Sequence, residues 1–106
     1  MKNVVLLYDS SCIYEIVILN YFLKVTGKDV VFVSPDGGTI TAMEGYSIHT
    51  EGALNEINPT DVELLTVPGG DITPIDKEDV WNYLKLVNQN HGLIAGICAG
   101  VDVLEH

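Results

Sequence analysis

Three short stretches of the chain are apolar on nearly every residue, Asn3 to Tyr8, Val30 to Val33 and Leu93 to Ile97, and Asp61 to Val67 carries a further strand candidate, Glu63-Leu64-Leu65-Thr66-Val67. Runs of this length, with no polar alternation, are the pattern of strands buried on both faces. Between the first two, Cys12 to Thr26 predicts a helix, closed by Gly27 at a C-cap position. Ile75 to Gln89 predicts a second long helix, with Val80, Tyr83, Leu84 and Val87 on one face. Thr39 to Met43 and Tyr46 to His49 alternate in the manner of a hairpin around Glu44-Gly45, and Ala53 to Ile57 reads as a short helix or turn. The punctuation agrees. Asp9-Ser10-Ser11 is a turn that doubles as helix N-cap material, and Pro35-Asp36-Gly37-Gly38 and Pro68-Gly69-Gly70-Asp71 break the second and third strands.

Strands alternating with helices predict an α/β fold in which a mostly parallel sheet lies between helix layers. Ligands of such sheets bind in the crevice beyond the carboxyl ends of the strands. Three of the four predicted ends carry unusual chemistry. The first leads into Asp9-Ser10-Ser11-Cys12 with Glu15 in the first helical turn, and the third into Pro68-Gly69-Gly70-Asp71. The fourth runs into Gly96-Ile97-Cys98-Ala99-Gly100, which reads as a nucleophile elbow.

In an elbow, a tight strand-to-helix turn holds the thiol outward and sets backbone N–H groups beside a developing oxyanion. Cys98 at a helix N-terminus is expected to have a lowered pKa and to be reactive. The competing reading is a buried structural thiol between two packing glycines. Glu15 is the one acidic residue in an otherwise apolar helix segment. It is either a solvated charge favoured by the helix N-terminus, or a carboxyl set against Cys98 that donates to the thiolate or accepts the thiol proton. Gly70 and Ala99 are the candidate oxyanion donors. Cys12 is a packing residue or a resolving thiol. Among the histidines, His91 precedes the fourth strand and so belongs at the wrong end of the sheet, His49 lies in the hairpin, and His106 is terminal.

Composition narrows the function class. With 106 residues the chain is expected to form one domain, and 47% hydrophobic residues suit a globular core. Fifteen acidic residues against five lysines, with no arginine, give a net charge of −10, which disfavours nucleic acid and anionic membranes as partners. The most apolar helical stretch, Ile13 to Leu23, is interrupted by Glu15 and Asn20 and is too short to span a bilayer. Two widely spaced cysteines form neither a metal set nor a disulfide framework, so a reduced, cytoplasmic setting with no metal or cofactor is expected. Tyr14, Ile18 and Tyr21 mark an apolar stripe on the first helix suited to a dimer contact.

Taken together, the early Glu15, Val67-Pro68-Gly69-Gly70 and Gly92 to Gly100 resemble the ThiJ/PfpI superfamily, relatives of class I glutamine amidotransferases. The resemblance covers essentially residues 1–106 and implies a flavodoxin-like three-layer sandwich, commonly dimeric. It implies Cys98 as nucleophile or oxidation-sensitive thiol, Glu15 as the acid that touches it, and Gly70 and Ala99 as oxyanion donors. The activity implied is a cysteine-dependent hydrolase or lyase acting on a small carbonyl or amide substrate, in the manner of glyoxalases and deglycases, with no cofactor. The alternative is an oxidative-stress sensor or chaperone-like module without turnover, in which Cys98 is oxidised. Two departures stand out. Family domains are longer, so the chain resembles an N-terminal, truncated portion, and the His that many members supply from a later loop has no counterpart. Nor have the arginines some members place near the thiol. Weak catalysis and association through the uncovered fourth strand, as a homodimer or higher oligomer, are the corresponding expectations.

Overall fold

The computed structural model describes residues 2–96, apart from the side chain of Glu15. Its strands are β1 (Lys2–Leu6), β2 (Val30–Ser34), β3 (Thr39–Thr41), β4 (Ser47–His49), β5 (Gly52–Ala53), β6 (Val62–Val67) and β7 (Leu93–Gly96). Its α-helices are α1 (Tyr14–Val25) and α2 (Glu78–Gln89). The main sheet has the order β5-β2-β1-β6-β7, and every neighbouring pair in it is parallel. β3 and β4 form the separate antiparallel hairpin expected around Glu44-Gly45, in register Ile40 opposite Ile48.

β1 sits at the centre of the sheet because it is apolar in both directions. Val4, Leu6 and Tyr8 face α2, packing with Leu65, Val67, Val80, Leu84 and Val87. Val5 and Leu7 face the other way, toward Ile16 of α1 and Ile40 and Ala42 of the hairpin segment. Val4, Val5, Leu6 and Leu7 are each no more than 1% exposed. At about 1.5–3 kcal/mol for each such side chain, β1 is the strand on which both layers depend. The α/β sandwich with a parallel sheet is thus the one the hydrophobic pattern predicts.

Element boundaries differ in instructive places. β5 was expected only as part of a helix or turn; it adds a fifth, edge strand through Val33 opposite Gly52 and Ser34 opposite Ala53. A two-residue strand has no periodicity to read. The turn after it is the 3₁₀ segment Leu54–Glu56, whose Glu56 Oε1 accepts the Ala53 N–H at 2.8 Å. α2 begins at Glu78 rather than Ile75. Asp71 Oδ1 accepts from both the N–H and the hydroxyl of Thr73, and Ile75, fully buried, plugs the core as a loop residue. Glu78 and Asp79 then open the helix where its dipole favours acids. At the far end of α1, Gly27 (φ 84°) ends the helix as expected, with the Lys28 N–H reaching back to the Leu23 carbonyl.

β7 forms the other edge of the sheet among the described residues, and its Leu93 is 68% exposed. Among the described residues no helix is long and apolar enough to cross a membrane.

On the α2 face, the Tyr83 hydroxyl donates to the buried Ile57 carbonyl at 2.7 Å, and burial pushes its pKa from the ordinary 10.0 to about 12. A pKa raised by folding means stability that is complete below pH 10 and lost as pH climbs toward 12. Tyr83→Phe is therefore expected to cost about 1–3 kcal/mol at neutral pH, the penalty for stranding a buried carbonyl, and to flatten the alkaline loss. Urea unfolding at neutral and alkaline pH checks both.

Candidate functional site

The chain leaves β1 through a loop that is held from two sides. On one side stands the segment after β6. The Tyr8 hydroxyl donates to the Pro68 carbonyl at 2.5 Å, the Cys12 N–H donates to the Gly69 carbonyl at 2.7 Å, and Ser11 and Gly70 form an isolated antiparallel bridge. On the other side stands the hairpin. The Ser10 N–H donates to the Thr41 carbonyl and the Met43 N–H to the Ser11 carbonyl, both at 2.8 Å, while Asp9 Oδ1 accepts the Thr41 N–H at 2.9 Å. Within the loop, the Ser11 N–H closes on the Tyr8 carbonyl, and Ser10 adopts φ 73°, a left-handed conformation uncommon for a residue with a side chain.

Gly70 is the tightest point. Its φ is 130°, and a Cβ there would overlap the Ser10 carbonyl oxygen outright. Only glycine permits both the backbone angle and the approach. Among the described residues the Gly70 N–H donates no hydrogen bond, so the donor predicted for an oxyanion is uncommitted. Asp71, next in sequence, is not: its carboxylate accepts two hydrogen bonds from Thr73, which hold it below the ordinary carboxylate range.

The N-terminus of α1 is capped in a way the sequence reading missed. Asp9, Ser10 and Ser11 were expected as N-cap material. The helix instead starts at Tyr14 with Ile13 at the cap, which provides no side-chain bond. Asp9 and Ser11 are taken up by the hairpin and the β1 exit. The caps come from Glu44 in the hairpin turn, whose Oε1 accepts the Ile13 N–H at 3.1 Å and Oε2 the Tyr14 N–H at 3.0 Å. The buried Cys12 thiol also donates to Glu44 Oε2, at 3.6 Å. The Tyr14 and Ile13 amides, in that order, hold the Glu44 carboxyl below its ordinary value. No local signal marks Glu44: its partners lie about thirty positions away, and in sequence it reads as an ordinary turn residue.

Of the predicted site residues, the structure places Gly70 beside the β1–α1 loop and Glu15 as the second residue of α1. Val67 pairs with Gly96 across β6 and β7, so Gly96, two positions before Cys98 in sequence, lies level with the start of Pro68-Gly69-Gly70. Cys98 and Ala99 themselves lie outside the described residues. His49 is exposed on β4 with Nδ1 3.3 Å from Thr39 Oγ1, and His91 turns the chain into the start of β7, the opposite end of the sheet from Gly70. Among the described residues, no group of three or more His, Cys, Asp or Glu is disposed to hold a metal ion.

Comparison with known proteins bears on this arrangement. The model of the DJ-1/PfpI family matches residues 1–106. A deglycase of Pyrococcus abyssi is 27% identical over 107 residues, covering 98% of this chain and 64% of that protein. The deglycase PfpI of Pyrococcus furiosus is 34% identical over 93 residues, covering 85% of this chain and 55% of its own length. The chain thus spans less than two thirds of the curated relatives it matches. Among solved structures, a DJ-1 superfamily protein from Agrobacterium tumefaciens aligns with a TM-score of 0.87 at 25% identity, over 98% of this chain and 57% of that one. Drosophila melanogaster DJ-1beta aligns with a TM-score of 0.85 at 23% identity, over 99% of this chain and 60% of that one. Matched by the family's model over residues 1–106, the chain belongs to the DJ-1/PfpI family.

Proposed function

We propose that the chain carries the nucleophilic half of a cysteine-dependent site acting on a small carbonyl-derived or amide substrate. The observation that carries this reading is the uncommitted Gly70 N–H, locked at the carboxyl end of β6 beside the strand that leads to Cys98. In this reading the Cys98 thiolate attacks the carbonyl carbon. The C–S bond forms as the carbonyl π pair moves onto oxygen, and the N–H groups of Gly70 and Ala99 receive that oxyanion. With an amide the oxyanion pair re-forms the carbonyl as the C–N bond breaks, the amine leaves with the proton given up by the Cys98 thiol, and water hydrolyses the thioester to an acid and the free thiol. With a 2-oxoaldehyde the protonated adduct is a thiohemiacetal, which isomerises by proton transfer between its two oxygenated carbons to a hydroxyacyl thioester that water then hydrolyses. Glu15 serves as the acid that hydrogen-bonds the thiolate and stabilises it. That two archaeal relatives are named deglycases supports a carbonyl-derived substrate.

Methylglyoxal turnover tests the assignment. Cys98→Ser is expected to abolish it, and Glu15→Gln to lower it by about 10²-fold, the usual contribution of a positioned acid or base. Unchanged turnover in Cys98→Ser overturns the reading.

We further propose that a second copy of the chain docks on α1. Tyr14, Ile18, Tyr21 and Val25 recur along one stripe of the helix and are 69%, 68%, 65% and 63% exposed. In a chain of net charge −10, an apolar stripe of this length on one helix is the natural place for a self-complementary contact. Sedimentation equilibrium is expected to give a dimer, and Ile18→Glu with Tyr21→Lys a monomer. A wild-type monomer, or a dimer unaffected by both substitutions, contradicts the proposal.

A further inference from the structure

Glu44 has no part in the chemistry proposed above, yet three consecutive residues at the α1 entrance depend on it. Its two carboxylate oxygens take the N–H groups of Ile13 and Tyr14, and one of them also takes the Cys12 thiol. These are the three residues immediately before Glu15. The helix has no cap of its own, so the hairpin turn, not the local sequence, fixes where α1 starts and how it is oriented. The hairpin is itself tied to the same loop through the hydrogen bonds of Thr41 and Met43. The carboxylate also occupies the Ile13 and Tyr14 amides, so these two donors at the positive end of the helix are satisfied from within the fold.

We infer that Glu44 is a positioning residue: by holding Cys12, Ile13 and Tyr14 it sets where α1 presents Glu15 to the reacting end of the sheet. The inference rests on the reading in which Glu15 acts on Cys98. Glu44 touches no reacting atom in this account and works only through the start of α1. Its lowered pKa agrees with a carboxylate that stays ionised in this role. Because a cap can stabilise a helix without any bearing on chemistry, the test reads the state of the thiol rather than stability alone.

The experiment is the pH dependence of iodoacetamide alkylation at Cys98, followed by peptide mass mapping to separate it from Cys12. It is run on the wild type, Glu15→Gln, Glu44→Gln and the double variant, with melting temperatures recorded for each. Glu44→Gln is expected to move the alkylation midpoint in the same direction as Glu15→Gln, by at least about 0.3 pH unit, a twofold change in thiolate fraction at fixed pH. The double variant is expected to match Glu15→Gln alone, because Glu44 acts through it. Glu44→Asp keeps the charge but loses one methylene of reach. It serves as the second variant and is expected to give a smaller shift of the same sign. A Glu44→Gln profile identical to wild type, while Glu15→Gln shifts, overturns the inference and leaves the proposed site standing. Additive shifts in the double variant also overturn it. No shift in Glu15→Gln removes the proposed Glu15–Cys98 pair, and this inference with it.

Discussion

The close approach of two backbone segments, Ser10 to Cys12 against Gly69 and Gly70, is the contact on which the rest of the site depends. It joins the exit of the central strand to the exit of its neighbour β6, and it exists only because residue 70 has no side chain. Once it is made, the left-handed Ser10 and the bond from Cys12 to the Gly69 carbonyl follow as one unit, on which the hairpin then sets the start of α1. Strained conformations of this kind persist where surrounding contacts over-determine them. Here those contacts are backbone hydrogen bonds from the hairpin on one side and the post-β6 loop on the other.

The sheet explains why the contact falls where it does. In a parallel sheet all strands deliver their carboxyl ends to one edge, and β1 and β6 are immediate neighbours there. Burial of β1 on both faces makes the strand whose exit forms this contact also the strand on which both helix layers pack. Stability and site geometry therefore share a cause. The chain's acidity plays a smaller part. Glu44, for example, contributes through two directed hydrogen bonds at the α1 entrance, whatever the net charge.

Much of this was legible from the residues. The four strand candidates coincide with the long strands of the sheet, and the helix face of Val80, Tyr83, Leu84 and Val87 is the one that is buried. The glycines of Pro68-Gly69-Gly70 mark the break after the third predicted strand, and Gly70 makes the close backbone approach there. What the sequence could not convey was contact between distant segments. Asp9, Ser10 and Ser11 have good capping chemistry, and nothing local says that the hairpin will claim Asp9 or that Glu44 will cap in its place. β5 is too short to leave a pattern, and Ile75 reads as helix because an apolar loop residue that plugs a core looks the same as the first turn of a helix.

Held by backbone hydrogen bonds from both sides, the β1–α1 loop is part of the folded core rather than a mobile connection. Native-state amide hydrogen exchange tests it most directly, because exchange free energies range from near zero in loops to the full unfolding free energy in core elements. The Cys12 and Met43 N–H groups, bonded to the Gly69 and Ser11 carbonyls, are predicted to exchange with the same free energy as the Leu7 N–H, which is bonded to the Val33 carbonyl. Exchange of Cys12 and Met43 within about 1 kcal/mol of the unprotected rate, with Leu7 still protected, would contradict the account.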